Sequence, residues 1–341
     1  MSAETMKAVR LHAFGGPEAL RYENAPRPAP AAGELLVRIA AVGINPFELS
    51  LRDGMSALPP EWRPKPVFPI IIGTDVSGTV VAVADDVSGF SVGDEVYSMV
   101  RFPEKGMEGA GAYAQFVTVP ATQVARKPGG IDHIHAAAAL MSLLTAWQFL
   151  IDVGHHEPNP LQPFPHVPVP LGGKTVLVNG AAGGVGHFPV QIAKWQGAHV
   201  IAVAAGKDEA LMRELGADRF IDYRKVDAHE VVHDLDLVLD AVGGPETRRF
   251  LSTIKRGGAL FPTIALGFDG QDEAERREVT VSSVQVRSNG AQLAEIGRLL
   301  DDGTIRAVVD GSFALSAAAE AHARAAGGGV QGKIVLTVAA D

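Results

Sequence analysis

The chain of 341 residues contains no cysteine. That absence excludes disulfides, thiolate nucleophiles and every zinc site built on cysteine. A membrane-length apolar run is also missing. The longest uncharged stretch, Ala136 to Ile151, is short for a bilayer and carries Ser142, Thr145 and Gln148, so it reads as a buried helix. The opening residues Met1–Lys7 show no apolar signal-peptide core, and the expected compartment is the cytoplasm. Nor is the chain basic: its net charge of −9 argues against nucleic acid or an anionic membrane as the main partner. A composition of 47% hydrophobic and 20% charged residues is that of a globular chain with room for two domains.

Two textures follow one another. Up to about residue 130 short strand candidates dominate: Lys7–Leu11, Glu34–Val42, Gly78–Ala84, Gly93–Tyr97 and Ala112–Val119, separated by Gly, Pro and Asp turns. Such spacing predicts a barrel-like β domain. A proline-rich segment, His155 to Pro170, resists helix and sheet alike and is expected as an extended surface loop rather than a metal site for its three histidines. From Lys174 strands and helices alternate. Strands are expected at Thr175–Val178, His199–Ala204, Arg219–Tyr223, Leu235–Asp240, Ala259–Ile264 and Val279–Val286, with helices at Glu209–Leu215 and Pro245–Ile254 between them. This α/β pattern predicts a doubly wound parallel sheet of about six strands. Helices Ala291–Leu300 and Ser316–Ala325 and a last strand, Lys333–Val338, close the chain; that strand is free to pair back onto the N-terminal domain.

Within the second texture, Val178-Asn-Gly-Ala-Ala-Gly-Gly-Val-Gly186 stands between a strand and a helical run, Phe188–Lys194. Strand, glycine turn and helix N-terminus together make a pyrophosphate cradle, and the next strand follows at the right distance. Gly180, Ala181, Ala182, Gly183, Gly184 and Val185 are the expected phosphate contacts. Pro189 removes a backbone donor in the following helix, so a kink is expected there.

The motifs Gly43-Ile-Asn-Pro46, Gly73-Thr-Asp-Val-Ser-Gly78, Val92–Tyr97, Gly111–Phe116, Leu144-Thr-Ala-Trp147, the glycine run, Leu215–Asp218, Leu239–Gly243 and Gly332-Lys-Ile-Val-Leu336 occur in one order. In that order the chain resembles the medium-chain dehydrogenase/reductase superfamily, in its zinc-free quinone oxidoreductase branch. The resemblance implies a GroES-like β-barrel catalytic domain (1–145 with 288–341) and an inserted Rossmann domain (146–287). It further implies a homodimer or homotetramer joined through the strand at Val279–Val286. Zinc-dependent members carry a cysteine at the place of Asn45 and Gly-His-Glu at Gly73-Thr74-Asp75. A structural-zinc lobe would fall near Arg101–Gly111, which is short and cysteine-free. No metal is therefore expected. The expected chemistry is hydride transfer to an electrophilic small molecule, a quinone or α,β-unsaturated carbonyl, whose conjugated oxygen takes up the charge.

The resemblance also assigns residues. Asn45 and Thr145 fall at the reacting end, each against a plainer reading: a turn asparagine before proline, and a helix hydroxyl bonded to its own backbone. The second strand ends Val203-Ala204-Ala205-Gly206-Lys207-Asp208, without the acid that selects NAD. Lys207 and Tyr223 match positions beside a 2′-phosphate, so NADPH is expected over NADH, with Asp208 opposing; the plain alternative for Lys207 is a solvated helix-start lysine. Ala205 lies at the same strand tip. Val242 and Ile264 are placed at the nicotinamide half and Lys333, in the closing motif, among the cofactor contacts. Glu48 reads as a structural carboxylate more than a proton relay, Tyr113 as packing, and Phe47 and Trp62 as either acceptor lining or core. Two other functions stay open: an enoyl-thioester reductase, disfavoured because Phe47 rather than a tyrosine lies near Asn45, and a non-enzymatic NADPH-binding sensor.

Overall fold

A computed structural model of the protein describes residues 4–100, 111–155, 162 and 164–339. The stretch 101–110 and residues 156–161 and 163 of the proline-rich segment lie outside the described residues. The chain divides into two units, 1–141 with 287–341 and 142–286, the division falling inside a long helix.

The first unit takes eight strands from the N-terminal part: β1 (Thr5–Leu11), β2 (Leu20–Pro26), β3 (Glu34–Gly43), β4 (Ile70–Ile71), β5 (Asp75–Val83), β6 (Glu95–Met99), β7 (Phe116–Pro120) and β8 (Val124–Arg126). It takes β15 (Val309–Ala314) and β16 (Lys333–Thr337) from the other end of the chain. The main sheet runs β15-β16-β3-β5-β6-β8, with β7 also on β3; β2-β1-β4 form a smaller sheet. Leu35, Val37 and Ile39 alternate inward along β3 and share one apolar core with Val76, Val96, Val117 and Leu336. This is the GroES-like fold. The last strand does return to the N-terminal part: β16 pairs antiparallel with β3, Leu336 opposite Val42.

The second unit is a Rossmann-type sheet. Its strands β9 (Thr175–Asn179), β10 (His199–Ala204), β11 (Arg219–Asp222), β12 (Leu235–Asp240), β13 (Ile254–Pro262) and β14 (Thr280–Val281) are all parallel, in the order β11-β10-β9-β12-β13-β14. β9 and β12 lie inside the sheet and are apolar on both faces: Val176, Leu177, Val178, Leu237, Val238 and Leu239 are fully buried.

Helix α1 spans Pro46–Arg52 and α2 spans His133–Leu150. Residues Ala136–Leu150 of α2 are buried on every side, as the uncharged run predicts. No helix among the described residues is long and apolar enough to cross a membrane.

Three local expectations are corrected. Pro189 is the third residue of α3 (His187–Trp195), inside the first turn, where a missing N–H leaves no helical bond unmade; no kink is required. Residues Pro245–Thr253 form a 3-10 run instead of an α-helix. The strand expected over Val279–Val286 pairs only at Thr280 and Val281. Its ladder closes with the Ser282 N–H on Leu260 O at 3.0 Å, because the next donor on β13 would be Pro262, which has no N–H.

Beyond Ser282 the edge is met by the proline-rich segment. The Phe164 and Val167 N–H groups donate to Ser283 Oγ (3.1 Å) and Ser282 Oγ (2.9 Å). The Gln285 N–H donates to Gln162 Oε1 (3.0 Å), and His155 Nε2 lies 3.2 Å from Gln285 O. Phe164 packs edge-on to Phe268, and His166 sits between Phe149 and Phe261. The segment's described residues 164–170 form neither helix nor strand, as expected, but two of its rings are turned into the unit.

Candidate functional site

In the second unit, β9 hands the chain to a tight turn at Gly180, whose φ of +70° suits glycine. The Ala181 N–H donates to Val203 O on β10 at 3.0 Å and ties the turn to the neighbouring strand. A Cβ on Gly186 would come within 2.1 Å of Gly180 O, so the start of α3 approaches the turn only as glycine. Ala181 and Ala182 are buried; Gly183, Gly184 and Val185 are half-exposed at the helix start. Backbone N–H groups and the helix dipole are thereby presented where a pyrophosphate binds, and the residues fit a dinucleotide.

Asp240 organises the strand ends beside this turn. Its Oδ1 accepts from Asn179 Nδ2 (2.7 Å) and from the Val242 N–H (3.0 Å), while Oδ2 accepts the Thr247 hydroxyl. Its carbonyl oxygen accepts Thr263 Oγ1 at 3.1 Å, so one buried carboxylate residue links the tips of β9, β12 and β13. Val242 and Ile264 remain 59% and 50% exposed on those tips. A Cβ on Gly180 would touch Val242, and one on Gly243 would touch Ile264. Two apolar side chains thus stay open at the carboxyl end of a parallel sheet, a face suited to a flat ring.

At the tip of β10, Ala205 is buried and Lys207 is exposed. Tyr223 is 52% exposed, with the Arg224 guanidinium 5.8 Å from its ring centre. Sequence reasoning missed two neighbours here. Arg224 adds a cation, and the Asp222 carboxylate packs so closely on Gly206 that a Cβ there would lie 2.5 Å from Asp222 Oδ2. That carboxylate accepts the Arg224 N–H at 3.1 Å and faces Lys225 at 3.7 Å. An acid absent from the tip of β10 thus stands at the end of the adjacent β11, with Arg224 and Lys225 next to it. The signal was Asp222-Tyr-Arg-Lys225 at the end of a strand next to β10.

Thr145 lies on α2, nearly buried, in the second unit; Asn45 belongs to the first. Asn45 caps α1, with Pro46 at the first helical position and Glu48 at the third. Its N–H donates to Glu48 Oε2 at 2.8 Å. Its amide is engaged at both ends: Nδ2 donates to Asp75 Oδ2 (3.0 Å) with Thr74 Oγ1 at 3.4 Å, and Oδ1 accepts from Lys333 Nζ. Lys333 also donates to Ile44 O at 2.8 Å and stands 3.8 Å from Asp75 Oδ2. The Met141 N–H donates to Asp75 Oδ1 at 3.1 Å, and the Thr74 hydroxyl lies 2.8 Å from Glu48 Oε1. Asn45, Glu48, Thr74, Asp75 and Lys333 are all buried.

The structure thus joins two of the expected site residues, Asn45 and Lys333. The Asn45 amide is held within the barrel on both sides, and the Lys333 ammonium points at Asn45 and Ile44. Burial raises the Glu48 carboxyl to about 7, with the Asp75 charge adding to it. Burial also raises Asp75, against the opposing pull of Lys333, and burial lowers Lys333 against Asp75. Two buried carboxyls facing one ammonium balance when one carboxyl keeps its proton. Asp75 has the more donors, which leaves the proton on Glu48.

Tyr113 is buried, as expected of packing, but it is not purely apolar. Arg52 Nη1 lies 3.1 Å from His322 Nδ1, and His322 Nε2 lies 2.8 Å from the Tyr113 hydroxyl. With Arg52 donating to Nδ1, the neutral ring donates from Nε2 to Tyr113; burial and the Arg52 charge push His322 down to about 4. Phe47 is half-buried against the barrel core and Trp62 is 46% exposed.

Comparison with known proteins shows the family. Residues 31–129 match the alcohol dehydrogenase GroES-like domain and residues 215–336 the zinc-binding dehydrogenase family. The chain is 30% identical to the NAD(P)H oxidoreductase RTN4IP1, mitochondrial, of Danio rerio, over 98% of this chain and 92% of that protein. It is 31% identical to the 2-methylene-furan-3-one reductase of Solanum lycopersicum, over 97% and 79%. Among solved structures, the quinone oxidoreductase from Coxiella burnetii superposes with a TM-score of 0.83 at 25% identity, over 98% of this chain and all of that one. Mycobacterial Rv1454c, solved with NADPH, gives 0.79 at 29% identity, over 97% and 99%. The zinc in one family description does not fit the residues here. Around Asn45 they offer an amide, a hydroxyl and carboxylates; zinc accepts a carboxylate, but no thiolate or imidazole stands with it here and an ammonium already faces Asp75.

Proposed function

Because the chain belongs to the medium-chain dehydrogenase/reductase superfamily, in its quinone-oxidoreductase-like branch, we propose that this NAD(P)H oxidoreductase is a metal-free reductase of quinones or α,β-unsaturated carbonyls with NADPH as donor. The observation that carries the reading is the donor set around Asn45, which offers neither thiolate nor imidazole and already holds an ammonium against its carboxylate. Without a Lewis acid, the acceptor itself has to spread the charge that hydride addition creates, and conjugated carbonyls do so. Bound NADPH supplies the hydride.

The remaining work falls to this chain's residues. The turn Gly180–Gly186 holds the pyrophosphate on the start of α3. Val242 and Ile264 form an apolar support for the nicotinamide end, and Thr145 is the hydroxyl assigned to it. Lys207, Tyr223 and Arg224 surround the place of the 2′-phosphate. In the first unit Asn45 bridges the Lys333 ammonium and the Asp75 carboxylate.

The test is NADPH oxidation against a panel of quinones and enals, before and after dialysis against a chelator. Turnover that survives the chelator is expected. Tight NADPH binding with no turnover across the panel would overturn the reading in favour of a cofactor-binding sensor. Relatives named for a quinone and for an unsaturated ketone support the acceptor class.

A further inference from the structure

The Asn45 amide lies between opposite charges. On one side its Oδ1 receives the Lys333 ammonium; on the other its Nδ2 reaches Asp75 Oδ2 at 3.0 Å. Lys333 and Asp75 themselves stand 3.8 Å apart, with side chains 2% and 0% exposed. All three ammonium protons have an oxygen to face: Ile44 O, Asn45 Oδ1 and Asp75 Oδ2. Behind this row, Glu48 and Thr74 bring a second carboxyl and a hydroxyl. Oxygen atoms from β5, α1 and the chain before α1 therefore converge on a single positive charge, as ligands converge on a cation.

We propose that the Lys333 ammonium is the resident cation of this site, filling with a side chain the electrostatic place that a metal fills in zinc dehydrogenases, and so fixing the orientation of Asn45. Lys333 is on this view a positioning residue. It works through the amide and through the charge of Asp75, and it leaves no room for a divalent ion, which would stand against an ammonium in a buried pocket. The geometry arises because β16 pairs with β3 and sets Lys333 beside Ile44; the Ile44 N–H donates to Ile334 O at 2.9 Å. The inference concerns the same site as the function proposed above but does not depend on the acceptor. Loss of turnover and loss of the internal cation are read by different measurements.

A double-mutant cycle tests it on the full-length protein. Lys333→Met leaves Asp75 buried without its cation and is expected to lower Tm by roughly 5–10 °C. Lys333→Arg is expected to recover most of that loss. Combining Lys333→Met with Asp75→Asn is expected to recover at least about half of it, because both charges leave together. A mere packing role predicts additive losses and no rescue by arginine, and that result overturns the proposal. Should Lys333→Met not fold, wild-type protein titrated with Co(II) still decides: the proposal expects no d–d absorption band, and a tetrahedral cobalt spectrum removed by Asp75→Asn would refute it. NADPH affinity by fluorescence titration is the third reading. It is expected to stay within about twofold in Lys333→Arg, and a tenfold loss would return Lys333 to the cofactor and overturn its assignment as an internal cation.

Discussion

Glu48 and Asp75 meet across the Thr74 hydroxyl, which lies 2.8 Å from Glu48 Oε1 and 3.5 Å from Asp75 Oδ1. With Lys333 as the one cation bonded into this group among the described residues, the two carboxyls carry one proton between them below about pH 7. Burial, then the Asp75 charge, favour its place on Glu48. The folded value of about 7 stands above the ordinary 4.5. A raised carboxyl contributes its stability in full below the unfolded value and loses it as pH rises through the folded one. Glu48→Gln copies the protonated state and removes that titration. The variant is expected to match wild type near pH 4.5 and to exceed it above about pH 7, by on the order of 3 kcal/mol at most. Thermal melts from pH 4.5 to 8.5 check this, and a pH-independent difference between the two proteins would show the proton to be elsewhere.

At the glycine turn, Gly186→Ala is expected to abolish NADPH binding, because its Cβ would enter Gly180 O at 2.1 Å. Gly183→Ala meets the same oxygen only at 3.3 Å and is expected to weaken binding by about tenfold or less. Fluorescence titration of both variants, with melts to confirm folding, gives the comparison. Equal losses would mean that the turn is not gripped by close packing.

How much of this was legible in the chain depends on sequence distance. The alternation of β9 to β12 with helices could be read because each strand is a short apolar run closed by its own glycine or charged residue, a local signal. The pairing of Lys333 with Asn45 joins positions 288 apart and arises only when β16 returns to β3. Seen alone, Lys333 is one lysine in a closing motif, and nothing local announces its bonds to Asn45 and Ile44. Asp222 was passed over for a similar reason. The acid was sought on the tip of β10, while the fold places it on β11, beside Gly206. The overlong edge strand shows the opposite error: Val279–Val286 alternates like a strand, but its partner ends in a proline that cannot donate.

On the proposed function, coenzyme choice is set at that corner: the charges of Lys207, Arg224 and Lys225 would favour a 2′-phosphate and that of Asp222 would oppose one. Asp222→Asn is expected to raise the ratio of kcat/KM for NADPH over NADH by about tenfold, roughly 1.4 kcal/mol. Lys207→Ala is expected to lower it by a similar factor. Steady-state kinetics with both donors measures the ratio. A shift of the same sign in both variants would mean that these groups do not face the phosphate.

The edge of the second sheet bears on self-association. A homodimer or homotetramer joined through Val279–Val286 would need free backbone groups along that edge. Counting on from Ser282, whose N–H faces β13, extended alternation turns Gln285 outward. Its N–H and carbonyl are the groups already bonded by Gln162 and His155. Ser282 and Ser283 hold the same segment just before Gln285, and Phe164 and His166 anchor it among Phe149, Phe261 and Phe268. Association through this edge therefore has to displace the segment and give up five hydrogen bonds, each worth roughly 1 kcal/mol. Light scattering of the triple variant Gln162→Ala, Ser282→Ala, Ser283→Ala is expected to show a larger associated fraction than wild type at equal concentration. If wild type is already fully associated and a cross-link placed at position 283 joins two copies, the segment does not guard the edge.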